Sequence, residues 1–129
     1  TIGCDGRPIP FMSWPQVLDD QPCPAAMPVG CGGVMYPPGT LPAEAADVAT
    51  FKRLCPHGDD LWLYWMLSRT GKMARCIQPG GRFRYWRGTQ DVGMWHQNDL
   101  NGGNDRQIAA LISAYGLPFD DSKPCRHTQ

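Results

Sequence analysis

Two adjacent carboxylates, Asp59 and Asp60, directly precede an apolar run over residues 61–67. The run predicts a buried helix, whereas carboxylates favour water. Both preferences are met if the helix fills a core while its N-terminus opens onto a cleft that holds a polar ligand. One carboxylate would then be a general base that takes a proton from a hydroxyl nucleophile. The structural alternative is a helix cap with a first-turn acid, since free N–H groups and the helix dipole favour acids there.

A glycine-rich segment, residues 30–33, is a second candidate. Glycines permit positive φ and let a ligand approach the backbone closely, which makes Gly32 and Gly33 candidate binding residues. The segment matches neither a phosphate-binding loop nor a dinucleotide fingerprint. Its structural alternative is a bulge or a turn.

The third candidate is residues 95–105, which are dense in amides and carboxylates and flanked by an aromatic side chain. Such groups suit sugar hydroxyls, with an indole ring stacked on the sugar face. We therefore predict a saccharide-binding set made of Trp62, Trp95, Asn98, Asn104 and Asp105. A loop leading to a helix capped by Asn104 and Gln107 is the structural alternative. His96, with His57, is a candidate metal ligand, although single histidines more often form ordinary hydrogen bonds.

Length, charge and hydropathy argue against two classes of protein, nucleic-acid-binding proteins and membrane-spanning proteins. The chain has 129 residues, enough for one small domain, and 12 basic against 12 acidic residues. The balanced charge gives no general attraction to nucleic acid, although the basic aromatic stretch 82–87 could form a stacking platform. No apolar run is long enough to span a bilayer, and no targeting pattern is visible. We expect a cytoplasmic protein without a transmembrane segment, or one peripheral to a membrane.

The elements that must position these residues predict an α+β fold. Prolines and glycines make residues 1–42 a long irregular segment, with one short strand at 33–36. One or two short helices follow over 42–54, then the buried helix from about Asp59 to Ser68, ending at Gly71. Residues 73–77 and 82–86 read as strands of a small mixed sheet. A last helix begins near Asn104, with an apolar stripe of Ile108, Leu111, Ile112 and Tyr115.

Six cysteines lie along the chain, at positions 4, 23, 31, 55, 76 and 125. No Cys-x-x-Cys pair is present, which argues against a zinc ribbon. We expect most of these thiols to be reduced and buried, and the alternative is one or two disulfides involving Cys4 and Cys125.

The order of these motifs resembles the acceptor half of bacterial GT-A glycosyltransferases, especially those acting on capsular or lipopolysaccharide sugars. The resemblance rests on residues 32–38, on Phe51 with Leu54-Cys55-Pro56, on residues 58–63 and on Gly71. Trp95, Asn98 and residues 102–107 extend it, so it covers residues 7–115. Residues 116–129 are expected to be a loosely held tail of the same single domain.

The resemblance implies sugar transfer from a nucleotide-diphosphate sugar to a carbohydrate hydroxyl. Asp60 matches the catalytic base, Asp59 its neighbour at the acceptor, and Gly32 and Gly33 the strand that approaches the donor sugar. The family's Asp-x-Asp motif for a divalent metal, Mn or Mg, is missing from this chain. Binding of a nucleotide sugar is therefore expected only together with a donor-binding half, and the isolated acceptor half is expected to expose an apolar face that could form a homodimer.

Two hypotheses from other classes remain. One is a non-catalytic carbohydrate-binding module built on Trp62, Trp86, Trp95 and the asparagine-rich loop. The other is a disulfide-framed interaction domain, for which six free cysteines would be contrary evidence.

Overall fold

The computed structural model describes residues 8–17, 20–77, 86–88, 91, 93 and 95–118. Helices are the main regular structure of these residues, and three of them are α-helical: α1 (Val48–Leu54), α2 (Asp59–Ser68) and α3 (Gly103–Tyr115). Shorter 3-10 turns occur at Phe11–Ser13, Gly30–Gly32 and Ala43–Ala46, and a π-helical turn at His96–Leu100.

Helix α2 is the centre of the core, as its sequence predicts. Six of its ten residues are buried, namely Leu61, Trp62, Tyr64, Trp65, Met66 and Leu67. Its N-cap is Gly58, so both acids lie inside the first turn rather than at the cap. The predicted stop is confirmed, because Gly71 follows the last turn with φ of +69°.

Three aromatic side chains of α2 tie it to distant parts of the chain through their polar ends. The Trp62 indole donates to the Ala45 carbonyl at 3.0 Å. The Tyr64 hydroxyl donates to the Pro24 carbonyl at 2.9 Å, and the Trp65 indole to the Gly116 carbonyl at 3.0 Å. Buried aromatic rings supply apolar area while these bonds fix their orientation. The position of α2 is thus set by segments on both sides of it in sequence.

Helices α1 and α3 pack against α2. Helix α1 is capped by Asp47, whose carboxylate accepts the Thr50 N–H at 3.1 Å. The preceding 3-10 turn completes the predicted pair of short helices. Helix α3 contributes Ile108 and Leu111 to the core, with Ile112 and Tyr115 partly buried against it, so its predicted stripe is confirmed. Its N-cap is Gly102, without a side-chain cap, and the predicted Asn104–Gln107 capping pair is wrong.

The predicted small mixed sheet is not found in the part of the chain that the structure describes. There the only paired positions with both partners described are Cys23 and Ala74, which form one antiparallel bridge. Residues 33–36 do not form the predicted strand, and Met35 in their middle is 88% exposed. These four residues are followed by two prolines and find no partner strand among the described residues, and a strand gains little stability without a partner. Residues 82–85 of the other predicted strand lie outside the described residues.

The described cysteines differ in whether they form a disulfide and in how exposed they are. Cys23 is disulfide-bonded. Cys31, Cys55 and Cys76 are free, and Cys31 is exposed, so the prediction of buried thiols is wrong for Cys31. Cys4, Cys125 and the tail beyond residue 118 lie outside the described residues. Within the described ranges, no helix combines the length and the apolar character needed to cross a membrane.

Candidate functional site

The glycine-rich turn and the acid pair meet in space, although 30 residues separate Gly30 from Asp60. The Gly30 N–H donates to Asp60 Oδ1 at 2.9 Å. Asp60 is half-buried in the first turn of α2, whereas Asp59 beside it is exposed. The N-terminus of the core helix therefore presents one enclosed carboxylate and one solvated carboxylate.

Burial is the main influence on the enclosed carboxylate. It raises the pKa of Asp60, the charge of Asp59 raises it further, and the hydrogen bond from Gly30 acts in the opposite direction. A carboxylate with a raised pKa binds a proton more strongly than an ordinary surface aspartate, which suits a general base.

Tyr36 is the residue of this site that the sequence did not single out. It is half-buried, and burial raises its pKa, followed by the negative charges of Asp60 and Asp59. Those charges can act on the phenol because the glycine-rich turn, six residues ahead of Tyr36, is bonded to Asp60 through Gly30. The signal available in the sequence was the tyrosine at the end of the predicted strand 33–36, but its pairing with the acids is a tertiary feature.

Two side-chain amides attach further elements to the loop before α2. Asn98 donates from Nδ2 to the His57 carbonyl at 2.7 Å, and Gln107 accepts the His57 N–H through Oε1 at 2.9 Å. The π-helical turn and the first part of α3 are thereby held two residues from Asp59. The Oδ1 atom of Asn98 is buried and has no hydrogen-bond partner among the described residues. Asn98 is thus the member of the predicted polar loop that the structure brings close to the acid pair.

The rings of Trp95 and His96 are in contact at the start of the π-helical turn, with an interplanar angle of 31°. Their ring centroids lie 4.1 Å apart, and the Trp95 side chain is 37% exposed. An exposed indole of this kind is compatible with stacking on a sugar ring. For the metal prediction at His96 there is no support, since no group of three or more His, Cys, Asp or Glu side chains suited to a metal occurs among the described residues.

Three other residues of the predicted saccharide-binding set make contacts within the fold. Trp62 is 2% exposed, so its ring belongs to the core and offers no face to a saccharide. Asn104 is buried and donates to Asp99 Oδ1 at 2.7 Å. Asp105 is exposed and accepts the Phe11 N–H at 2.8 Å, which fastens the N-terminal segment to α3.

The remaining two predicted positions, Gly32 and Gly33, are exposed around the 3-10 turn rather than in a strand. Gly33 has φ of +83°, and no atom lies within 4 Å of where its Cβ would be. The backbone conformation alone therefore explains a glycine at 33.

Comparison of the chain with known proteins identifies no related protein. No protein-family model matches the chain, and neither curated proteins nor solved structures give a significant match. The resemblance to GT-A glycosyltransferases therefore stays a prediction that rests on the sequence motifs.

Proposed function

We propose that this chain is the acceptor-side and catalytic-base part of a glycosyltransferase. The observation that carries the proposal is the enclosed Asp60 carboxylate at the N-terminus of the core helix, bonded to the glycine-rich turn. Burial and the charge of Asp59 raise its pKa, and the charges of Asp60 and Asp59 in turn raise the pKa of Tyr36. A carboxylate in such surroundings suits the removal of a proton from a carbohydrate hydroxyl.

The reaction has three coupled changes. The acceptor hydroxyl gives its proton to Asp60, and its oxygen forms a bond to C1 of the donor sugar. The bond from C1 to the phosphate oxygen breaks, and its electron pair leaves with the nucleotide diphosphate. Attack by a hydroxyl activated in this way fits inversion at C1.

A divalent ion is implied by the resemblance, because such an ion can stabilise a leaving diphosphate. The described residues offer no group of three suitable side chains for one. The residues described here therefore do not supply the metal site, and the proposed role of Asp60 does not depend on it.

The decisive experiment is Asp60→Asn in the longest natural polypeptide that carries this chain, assayed with nucleotide sugars and carbohydrate acceptors. Asparagine keeps the size and can still accept the Gly30 N–H, but it cannot take the proton. We expect kcat to fall by about 10²- to 10⁴-fold. Asp59→Asn is the matched control, and because Asp59 is exposed we expect a smaller loss. Unchanged transfer by Asp60→Asn would overturn the base assignment.

The partly exposed ring of Trp95 favours a second candidate, a carbohydrate-binding module without catalysis. Trp86, which is 85% exposed, is a further ring on which a sugar could stack. The same experiment separates the two functions. Glycan binding that is equal in the natural protein and Asp60→Asn, with no transfer by either, would favour the module.

A further inference from the structure

Gly30 leaves no room for a side chain at its position. A Cβ added there would lie 2.6 Å from Asp60 Oδ1, 3.5 Å from Cγ and 3.8 Å from Oδ2. Real Cβ atoms essentially never approach another heavy atom as closely as 2.6 Å, so any other residue would displace the carboxylate. The φ of Gly30 is not in the left-handed region, in contrast to that of Gly33. The close contact at position 30 is therefore with the end of the Asp60 side chain, which can shift, and not with the turn itself.

The contact distinguishes the two carboxylate oxygens. Oδ1 accepts the Gly30 N–H at 2.9 Å, while Oδ2 has no hydrogen-bond partner among the described residues. The Gly30 N–H comes from the backbone, so it cannot rotate away as a side-chain donor could. One oxygen is thus fixed, and the other is left to meet a ligand.

We propose that Gly30 is the positioning residue for the base: its N–H holds Oδ1 of Asp60, so that Oδ2 takes the proton of the acceptor hydroxyl. This inference rests on the proposed function and adds to it which oxygen reacts and why the glycine-rich segment faces the acid pair. A base held at its productive position gives a faster reaction than a mobile one, since a displacement of 1 Å can lower the rate by about 10²-fold.

The first test needs no substitution and uses the chain itself. Asp60 is the titrating partner of the Gly30 N–H. The titratable group that acts on Asp60 is Asp59, and both carboxylates act on Tyr36. In an NMR pH titration, the amide proton of Gly30 should shift with the same midpoint as the carboxyl carbon of Asp60. Asp60→Asn should abolish that shift. A Gly30 amide that ignores the Asp60 titration would overturn the proposal.

The second test is Gly30→Ala in the longest natural polypeptide that carries this chain. We expect kcat to fall by about 10²-fold. KM for the donor should stay unchanged, because the added methyl group displaces the base and leaves the donor site intact. The pH profile of kcat should also move, since the carboxylate loses its hydrogen bond, and a purely structural role would not move it.

Val29→Ala is the matched control, because it changes the exposed residue that precedes Gly30 and lies outside the glycine-rich segment. It should retain the wild-type kcat and pH profile. If Asp60→Asn abolishes transfer while Gly30→Ala is as active as the natural protein, the positioning role is wrong and the proposed function stands. If Asp60→Asn transfers normally, the proposed function is wrong, and the positioning role is lost with it.

Discussion

At the scale of single residues, the loop before α2 is held by a thiol that has no catalytic character. The Sγ of Cys55 donates to the Gly58 carbonyl at 2.9 Å, and the residue is fully buried. Burial raises the pKa of Cys55 to about 12. The thiol therefore stays protonated and acts as a hydrogen-bond donor that closes the turn leading to Asp59.

The contrast between Cys55 and Cys31 predicts their reactivity. The thiolate is the reactive form, so exposed Cys31 should react readily with iodoacetamide at pH 8, while Cys55 should be more than about 10²-fold slower. Mass spectrometry of peptides after timed alkylation gives both rates in one sample. Full modification of Cys55 in denaturant is the positive control. Equal rates in the native protein would mean that the turn is not closed by this bond.

At the scale of elements, the start of α3 is determined by how closely it approaches the π-helical turn. A Cβ at Gly103 would lie 2.6 Å from the Gln97 carbonyl oxygen and 2.9 Å from Asn98 Cα. Both atoms belong to the backbone and cannot move aside cheaply. The contact matters for the site, because the same turn carries Asn98, which is bonded to His57.

We therefore predict that Gly103→Ala destabilises the protein. Alanine in place of a helical glycine normally stabilises by about 0.5–1 kcal/mol. Here, overpacking against the backbone should cost about 1–3 kcal/mol and reverse the sign. Urea unfolding followed by circular dichroism measures the change. Ser113→Ala, at an exposed position of the same helix, is the control and should be neutral or slightly stabilising. A stabilised Gly103→Ala would refute the close contact.

The helices could be predicted from the sequence because their signals are local. The apolar run, the acids of the first turn and Gly71 lie within one stretch of chain, and together they gave the bounds of α2 correctly. A strand needs a distant partner, and the apolar residues Val34 and Met35 found none among the described residues. Asn104 was misread because its amide donates to Asp99 in the π-helical turn instead of capping α3, which begins one residue earlier at Gly103.

At the scale of the whole molecule, the candidate site joins segments that are far apart in sequence. Gly30 meets Asp60 across 30 residues, and Asn98 meets His57 across 41. The sequence could indicate each member by its residue type, but not these pairings, because they depend on how α2 is anchored in the core. For the same reason Trp62 was predicted as a binding residue, although the helix turns its ring inward.

The same enclosure makes the candidate base costly for folding, and this predicts how stability depends on pH. Because the pKa of Asp60 is raised in the folded state, folding binds protons over the range between its ordinary and its raised value. The free energy of unfolding therefore falls as pH rises through that range, above about pH 4.

Asp60→Asn removes the buried charge and keeps an acceptor for Gly30, so it should melt at a higher temperature than the natural protein at pH 7. The difference should shrink on acidification towards pH 4. Asp59→Asn removes only the smaller, electrostatic cause of the raised Asp60 pKa and leaves the burial of Asp60 in place, so it should be stabilised less than Asp60→Asn. Differential scanning calorimetry of the three proteins from pH 3 to 8 makes the comparison. If the advantage of Asp60→Asn over the natural protein is smaller at pH 7 than at pH 4, burial does not raise the pKa of Asp60 in the folded protein.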